Sequence, residues 1–309
     1  MNYIRLDCRA ASQLATRAGC IIENISDILG IMRYKKITST SNPLIVKALK
    51  EKKSRPQNAL MVEGPRLLEM ALASGANIGM VFFTEDYRGK SRHFLTQVSK
   101  KAADLIETTE QIISKLADTE TPQGIVADIS VKARQLSELV ASDNSMVVIC
   151  DGIQDPGNLG TIVRTADAAG ADALIILPGT CDPFMPKAVR ATAGSIFNIP
   201  VVFAGPVQTV EWLRKGSITI VAADAHASES IYDADLRKST AFIFGNEAAG
   251  VSDYLREKSD MNLSVPIPGR AESLNVSASA AICLFEAVRQ RRYLSRKAGL
   301  RSVPIHGAG

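Results

Sequence analysis

The sequence predicts an α/β protein in two parts, a mostly parallel six-stranded sheet covered by helices and, before it, a smaller α/β unit. Three observations carry this reading. Six short apolar runs recur between residues 146 and 265 with helix-patterned stretches between them, the alternation a parallel sheet requires. A similar alternation of short strands and helices fills 37–130. The stretch 131–145 closes on Ser-Asp-Asn-Ser, a polar cluster that reads as a linker between the two parts. A chain of 309 residues is long enough for both.

Residues 1–36 show helical periodicity in Leu14, Ala18, Ile21, Ile22 and Ile25 without a cap, and are read as an extension of unknown role. Asp7, Glu23 and Asp27 are unlike the acid-poor composition of a transit peptide. Asn42-Pro43 then caps and opens a basic helix running to about Lys53. A strand at Ala59–Val62, the turn Glu63-Gly64-Pro65, a helix over Arg66–Ala73 stopped by Gly75, and a strand at Met80–Thr84 follow. His93–Lys101, Leu105–Glu107, Thr109–Leu116 and Gly124–Ile129 supply the remaining elements of the first part.

In the second part the continuous apolar runs are Met146–Cys150, Ala173–Leu177, Ile199–Phe203, Ile218–Ala222, Ala241–Phe244 and Leu263–Val265. Such runs suit strands buried on both faces. Helices are expected at about Leu159–Ala169, Lys187–Thr192, Val207–Lys215, Ala249–Lys258 and Asn275–Tyr293, and 295–309 is read as a basic tail.

Composition narrows the function. Hydrophobic residues at 46% and charged ones at 22% are those of an ordinary globular protein, and no apolar run is long enough for a membrane helix. Cys8, Cys20, Cys150, Cys181 and Cys283 are odd in number and without a Cys-x-x-Cys pair, and His93, His226 and His306 do not cluster. Neither a metal site nor a disulfide framework is therefore expected, and the thiols read as small buried hydrophobes of a cytoplasmic protein. The net charge is only +4, yet eight cations fall between Arg33 and Arg55 against Glu51 alone. Arg33, Lys35, Lys36, Lys47, Lys52, Lys53 and Arg55 are the expected contacts to a polyanion. A second cluster, Arg289, Arg291, Arg292, Arg296, Lys297 and Arg301, follows the last acidic residue, Glu286. For either cluster alone, a solvated basic face is the competing account.

Chemistry concentrates in three stretches. In Asp151-Gly152-Ile153-Gln154-Asp155-Pro156-Gly157-Asn158 a strand ends, a Gly/Pro loop turns and a helix begins near Asn158. Arg164 lies under two helical turns further on, where its planar fork suits a phosphate or, equally, a helix-surface ion pair. Two later strands end in glycine-bearing polar loops, Gly245-Asn246-Glu247-Ala248-Ala249-Gly250 and Pro266-Ile267-Pro268-Gly269, and the second leads to Glu272-Ser273-Leu274-Asn275 at a helix start. Glycine lets backbone groups approach a ligand, though by themselves the first loop could be a turn and the Ser273–Asn275 stretch an N-cap. No Gly-x-Gly-x-x-Gly, Gly-x-Ser-x-Gly or Walker loop occurs.

Taken together, in order, Asn-x-Gly-x-x-x-Arg-x-Ala, Gly-Asn-Glu-x-x-Gly and Ser-Leu-Asn-Val-Ser resemble the three motifs of the SpoU/TrmH family, ribose 2′-O-methyltransferases of the SPOUT superfamily. The resemblance covers 37–292, and the span 37–130, with Val62-Glu63-Gly64-Pro65, is similar to the ribosomal-protein-like substrate-binding domain of that family. It implies a catalytic domain at 146–294 whose C-terminal segment forms a trefoil knot, a homodimer through that region, and S-adenosyl-L-methionine as methyl donor. By motif position Gly245, Val265, Leu274 and Gly269 would line the donor pocket, with Ala222 and Ala223 at its adenosine edge. Arg164 matches the family's catalytic arginine, and Asn158, Glu247, Ser273 and Asn275 match the polar positions around it. The last helix, with Val276, Ala280, Ile282, Leu284, Phe285 and Val288, would serve core and subunit contact together.

The activity so implied is 2′-O-methylation of a structured RNA, and the domain order favours ribosomal over transfer RNA. An aromatic content of 5% favours backbone and shape readout over recognition by stacking alone. The alternative is a non-catalytic RNA-binding protein on the same knotted fold. A small-molecule methyltransferase is disfavoured by the added α/β part and the basic ends.

Overall fold

The computed structural model describes residues 32–54, 59–131 and 133–297. Residues 1–31 of the extension predicted over 1–36, Arg55 and the tail beyond Lys297 lie outside the described residues. The chain divides into two compact units, one built from residues up to 55 with 61–65 and 77–130, the other from 56–60, 66–76 and 131 onward.

The first unit opens with β1 (Lys35–Lys36) and α1 (Pro43–Ser54), continues through β2 (Ala59–Glu63), and after α2 (Pro65–Ser74) resumes with β3 (Asn77–Thr84), α3 (Glu85–Lys90) and α4 (Arg92–Val98). β4 (Ala102–Thr108), α5 (Glu110–Leu116) and β5 (Ile125–Ser130) complete it. The sheet order is β1-β4-β3-β5-β2, with β5 antiparallel to β3. Asn42 caps α1 as expected, its Oδ1 accepting from the Leu44 N–H at 3.0 Å. Ile45, Ala48, Phe82, Ile106, Ile112 and Leu116 pack together as its core. Two elements escaped the sequence pattern. β1 is made of two exposed lysines, with no apolar alternation to mark it. α3 is a short charged helix set by Thr84, whose side chain accepts from the Tyr87 N–H.

β1 is held by electrostatics. Glu107 on β4 has a side chain 2% exposed and takes Lys36 Nζ at 2.9 Å and Arg88 Nε at 2.6 Å. Burial alone would raise the Glu107 carboxyl, but the two cations outweigh it and hold the group below the usual carboxylate range.

The second unit is a seven-stranded sheet of order β10-β12-β9-β11-β6-β7-β8. Its strands are β6 (Met146–Asp151), β7 (Ala173–Ile176), β8 (Val201–Phe203), β9 (Thr219–Ala223), β10 (Glu229–Ser230), β11 (Thr240–Gly245) and β12 (Met261–Ser264). Every pairing given for it is parallel. The six expected strands are all present, and the seventh, β10, is a two-residue edge too short to leave a pattern. The helices are α6 (Pro156–Ala169), α7 (Pro186–Thr192), α8 (Pro206–Lys215), α9 (Asp253–Lys258) and α10 (Val276–Lys297). One face of the sheet, with Val147, Ile149, Ile175, Ile220 and Ile243, packs on Val210 and Leu213 of α8 and Leu255 of α9. α6 packs against α7 and α10.

Residues 131–145, expected as a linker, carry a 3-10 turn at Leu136–Glu138, and Arg134 donates its N–H to Val201 O at 2.8 Å. Leu136, Leu139 and Ala141 pack on the core just described. Cys150 and Cys283 are buried, and burial pushes the Cys283 thiol up to about 12, so both are inert filling.

The second basic cluster is partly structural. Arg291 on α10 donates to the carbonyls of Leu236, Asn144, Ser145 and Lys238, at the start of β6 and β11. Arg289 pairs with the buried Glu286 at 2.7 Å.

Replacing Glu107 tests the clamp in the first unit. Glu107→Gln is expected to lower the urea-unfolding free energy of that unit at neutral pH by about 1–2 kcal/mol, a charge-assisted bond pair discounted for half-exposed partners. The folded pKa is depressed, so the wild-type advantage is present above the unfolded carboxyl value and is lost as pH falls through the folded one. Unfolding curves at neutral and acidic pH that differ from the variant's by the same amount would contradict this.

Candidate functional site

The C-terminal ends of β6, β9, β11 and β12 all lie at one edge of a parallel sheet, where such sheets place ligands. β6 leaves the sheet at Asp151, and α6 starts at Pro156 because Asp155 caps it, its Oδ1 accepting from the Asn158 N–H at 2.9 Å. The helix thus begins three residues earlier than the expected Leu159. The signal was in the sequence as Asp155-Pro156, a cap followed by the residue best suited to the first helical position. Lys187 on α7 pairs with Asp155 at 2.8 Å.

β11 ends at Gly245, and the chain then makes a tight loop in which Asn246 and Gly250 exchange backbone hydrogen bonds of 2.9 Å. Gly250 has φ +73°, a conformation open to glycine. A Cβ on Gly245 would lie 2.1 Å from the carbonyl carbon of Gly250 and 2.2 Å from the Val251 nitrogen, so this position excludes any side chain. Asn246 Nδ2 donates to Gly152 O at 2.8 Å and its Oδ1 accepts from the N–H groups of Ala248 and Ala249.

Glu247 draws the loops together. Its carboxylate accepts from the N–H groups of Gln154 at 3.2 Å and Asp155 at 3.3 Å and from Asn158 Nδ2 at 3.0 Å. Burial would raise this carboxyl, but the Asn158 bond and the backbone donors prevail and keep it below the usual range. Asn158 Oδ1 in turn accepts from Asn275 Nδ2 at 2.9 Å, and Asn275 Oδ1 accepts from the N–H and hydroxyl of Ser277, capping α10. Three stretches far apart in sequence are thus one hydrogen-bonded chain.

Beside it lies a cleft of ≈ 630 Å³. Of the sequence-predicted residues, Gly245, Val265, Leu274 and Ala223 line it, as do Glu247, Ser273 and Asn275. Ala222 does not, being fully buried in the sheet core, and Gly269 is outside the lining. Alternation along β9 explains the first: Ala222 and Ala223 point to opposite faces. Arg164 is exposed on α6, its side chain makes no hydrogen bond or ion pair with a described residue, and it is not part of the cleft lining. Sequence reasoning missed Asp224 and Arg256, which also line the cleft and approach each other at 3.6 Å. It missed Thr180 as well, whose hydroxyl accepts from the Gly152 N–H at 2.9 Å and donates to Cys150 O at 2.8 Å. No spacing marks these residues, which meet only through the fold.

The cations of the first cluster are unequally placed. Lys36 is held by Glu107, Lys35 by Asp104 at 2.6 Å, and Lys52 by Asp118 at 3.2 Å and the Lys115 carbonyl. Lys47 makes only a long 3.8 Å approach to Glu51, and Lys53 is exposed. Arg33 also has a partner within the chain. Among the described residues there is no group of His, Cys, Asp or Glu arranged to hold a metal ion.

Gly245→Ala is expected to destabilise the second unit by about 1–3 kcal/mol through overpacking and to abolish binding in the adjacent cleft. Urea unfolding and calorimetric titration with S-adenosylhomocysteine check both, and unchanged titration would show that the 250–251 backbone yields.

Residues 145–285 match the model of the SpoU rRNA Methylase family, and 42–127 match that of the MRM3-like substrate binding domain. The chain is 35% identical over 254 residues to the 23S rRNA (guanosine(2553)-2′-O)-methyltransferase RlmP of Bacillus subtilis, covering 81% of this chain and 98% of that one. It is 35% identical over 210 residues to the 23S rRNA (uridine(2479)-2′-O)-methyltransferase of Streptomyces viridochromogenes, covering 63% of this chain and 73% of the other. The AdoMet-bound rRNA methyltransferase from Sinorhizobium meliloti superposes with a TM-score of 0.74 at 33% identity, over 83% of this chain and 98% of that structure. With both parts of the chain matched and a relative covered almost end to end, this protein belongs to the SpoU family of RNA methyltransferases.

Proposed function

We propose that this chain transfers the methyl group of S-adenosylmethionine to a ribose 2′-hydroxyl of ribosomal RNA. The observation that carries the reading is the Glu247–Asn158–Asn275 chain at the mouth of the cleft, in a protein whose relatives are rRNA 2′-O-methyltransferases. The cleft suits the donor in size and chemistry. Its ≈ 630 Å³ falls in the range of small-molecule sites. Arg256 lines it with a buried Nε–H that has no hydrogen-bond acceptor among the described residues, fitting a ligand that brings one. When bound, S-adenosylmethionine supplies a sulfonium-activated methyl carbon.

The residues of the chain divide the remaining work. Glu247 accepts three hydrogen bonds that favour its charged form, so it orients rather than accepts a proton from substrate. Asn158 and Asn275 transmit that order from the loop after β6 to the start of α10. Arg164 is open to a ligand, and a guanidinium is a poor base at neutral pH. It therefore anchors a substrate phosphate and stabilises the developing alkoxide, the 2′-hydroxyl proton leaving by way of that phosphate. Ser273 and Asn275 face the ribose from the cleft wall. Lys47, Lys53 and Arg33 on the first unit contribute backbone contacts to the RNA.

The protein acts as a homodimer through α10, where Phe285 is 47% exposed beside the half-buried Ile282 and Val288. The trefoil path expected of the C-terminal segment goes with this reading. No described helix is long and apolar enough to cross a membrane; work on ribosomal RNA in the cytoplasm goes with this reading.

Methyl transfer from tritiated S-adenosylmethionine to unmodified large-subunit rRNA tests the activity, with alkali-resistant dinucleotides reporting the 2′-O position. Arg164→Ala is expected to lower kcat by about 10²–10³-fold with S-adenosylhomocysteine affinity intact; a rate within threefold of wild type would remove Arg164 from the chemistry. Phe285→Glu is expected to shift sedimentation from dimer to monomer, and an unchanged sedimentation coefficient would place the subunit contact elsewhere.

A further inference from the structure

Phe203 closes β8 and is 49% exposed, against the partly buried Phe184 with ring centroids 6.3 Å apart. Val207, 52% exposed, lies one turn further along the chain. In a protein with few aromatics these are exposed apolar side chains, and the location of Phe203 is specific. The strand register runs Phe203–Ile176–Cys150 across β8, β7 and β6. Phe203 therefore stands at the same edge as Asp151, two strands and about 10 Å from the end of β6. The loop bearing Phe184 is tied to that same stretch: Thr180 bonds Gly152, the Cys181 N–H donates to Ile153 O at 2.8 Å, and Lys187 pairs with Asp155.

We infer that Phe203, backed by Phe184, is a stacking platform for an unpaired base of the substrate RNA close to the methylated nucleotide. The inference rests on the RNA methyltransferase reading above. Continuity with the site argues for a nucleotide of the same strand, since the end of β6, about 10 Å from Phe203, leads directly into the stretch that carries Asp155 and Asn158. Charge agrees. Arg134, whose backbone bridges Val202 on β8, and Arg190 on α7 are exposed cations of the same unit, and their side chains pair with no described residue. The nearby Asp182 carboxylate is turned onto the Phe184 N–H at 2.9 Å. A flat exposed ring on a unit that also presents free cations is the combination that holds single-stranded nucleic acid without reading its sequence. The ring also fixes Phe as the residue needed, since a base stacks on a π-face and not on a branched aliphatic.

The test uses the full-length protein and an unmodified large-subunit rRNA transcript, with Phe203→Ala, Phe203→Leu and Phe203→Trp. Filter retention without methyl donor, steady-state KM and kcat, S-adenosylhomocysteine titration and sedimentation are the readouts. Ala and Leu are each expected to weaken retention and raise KM about tenfold with kcat within about twofold, while Trp restores wild-type binding. Donor-analogue affinity and sedimentation stay as in the wild type. Wild-type retention by the Leu variant would overturn the inference, because the ring would then be dispensable. A fall in sedimentation coefficient with Ala would overturn it too, identifying the patch as a subunit contact. A wild-type protein that retains the transcript without methylating it would sink the methyltransferase reading, and retention by the Phe203 variants would still decide this one. Failure of the wild type to retain the transcript overturns both.

Discussion

The carboxylate of Glu247 is the contact on which the site depends. It sits in a loop that follows β11 and takes hydrogen bonds from a different loop, the one that follows β6. Neither loop has secondary structure to keep it in place, and both lie at the open edge of the sheet. A carboxylate with three donors can do what ladder bonds do elsewhere, because each charge-assisted bond is stronger than a neutral one. Asn158 extends the effect, donating to Glu247 with its amide nitrogen while its oxygen receives Asn275. The amide is suited to this relay, having a donor and an acceptor on one rigid plane.

Positive charge has a different standing in the fold than in the sequence. Lys36 and Arg88 neutralise a buried glutamate, Lys52 joins Asp118, and Arg291 satisfies backbone carbonyls at the opposite edge of the sheet from the cleft. A cluster of cations counted along the chain therefore overstates the surface offered to RNA. The cations left to a polyanion are fewer and more dispersed, which fits binding that relies on shape and position more than on a single basic stripe.

Most of the architecture was legible because its causes are local. Five of the seven strands in the catalytic sheet carry continuous apolar runs, and Asn42 and Gly75 mark helix limits through capping and backbone conformation. β1 and β10 were not legible, since two residues carry no period and β1 depends on Glu107 seventy positions away. Within the site, Asn158, Glu247 and Asn275 could be named from motif order, and the structure brings them into one hydrogen-bonded chain. Asp224, Arg256 and Thr180 could not, because their relevance arises from which strands are neighbours. Ala222 was placed at the cleft by its position at a strand end, where the pleat turns it inward instead.

α10 touches both edges of its sheet. Asn275 at its start is bonded to Asn158, and some 24 Å along its axis Arg291 grips the carbonyls of residues 144, 145, 236 and 238. A rod pinned at two ends cannot slide by a turn or rotate without breaking one attachment. Its far end thus sets the axial position of Asn275, and an amino acid remote from the cleft becomes a mechanical determinant of how accurately that amide meets its partner.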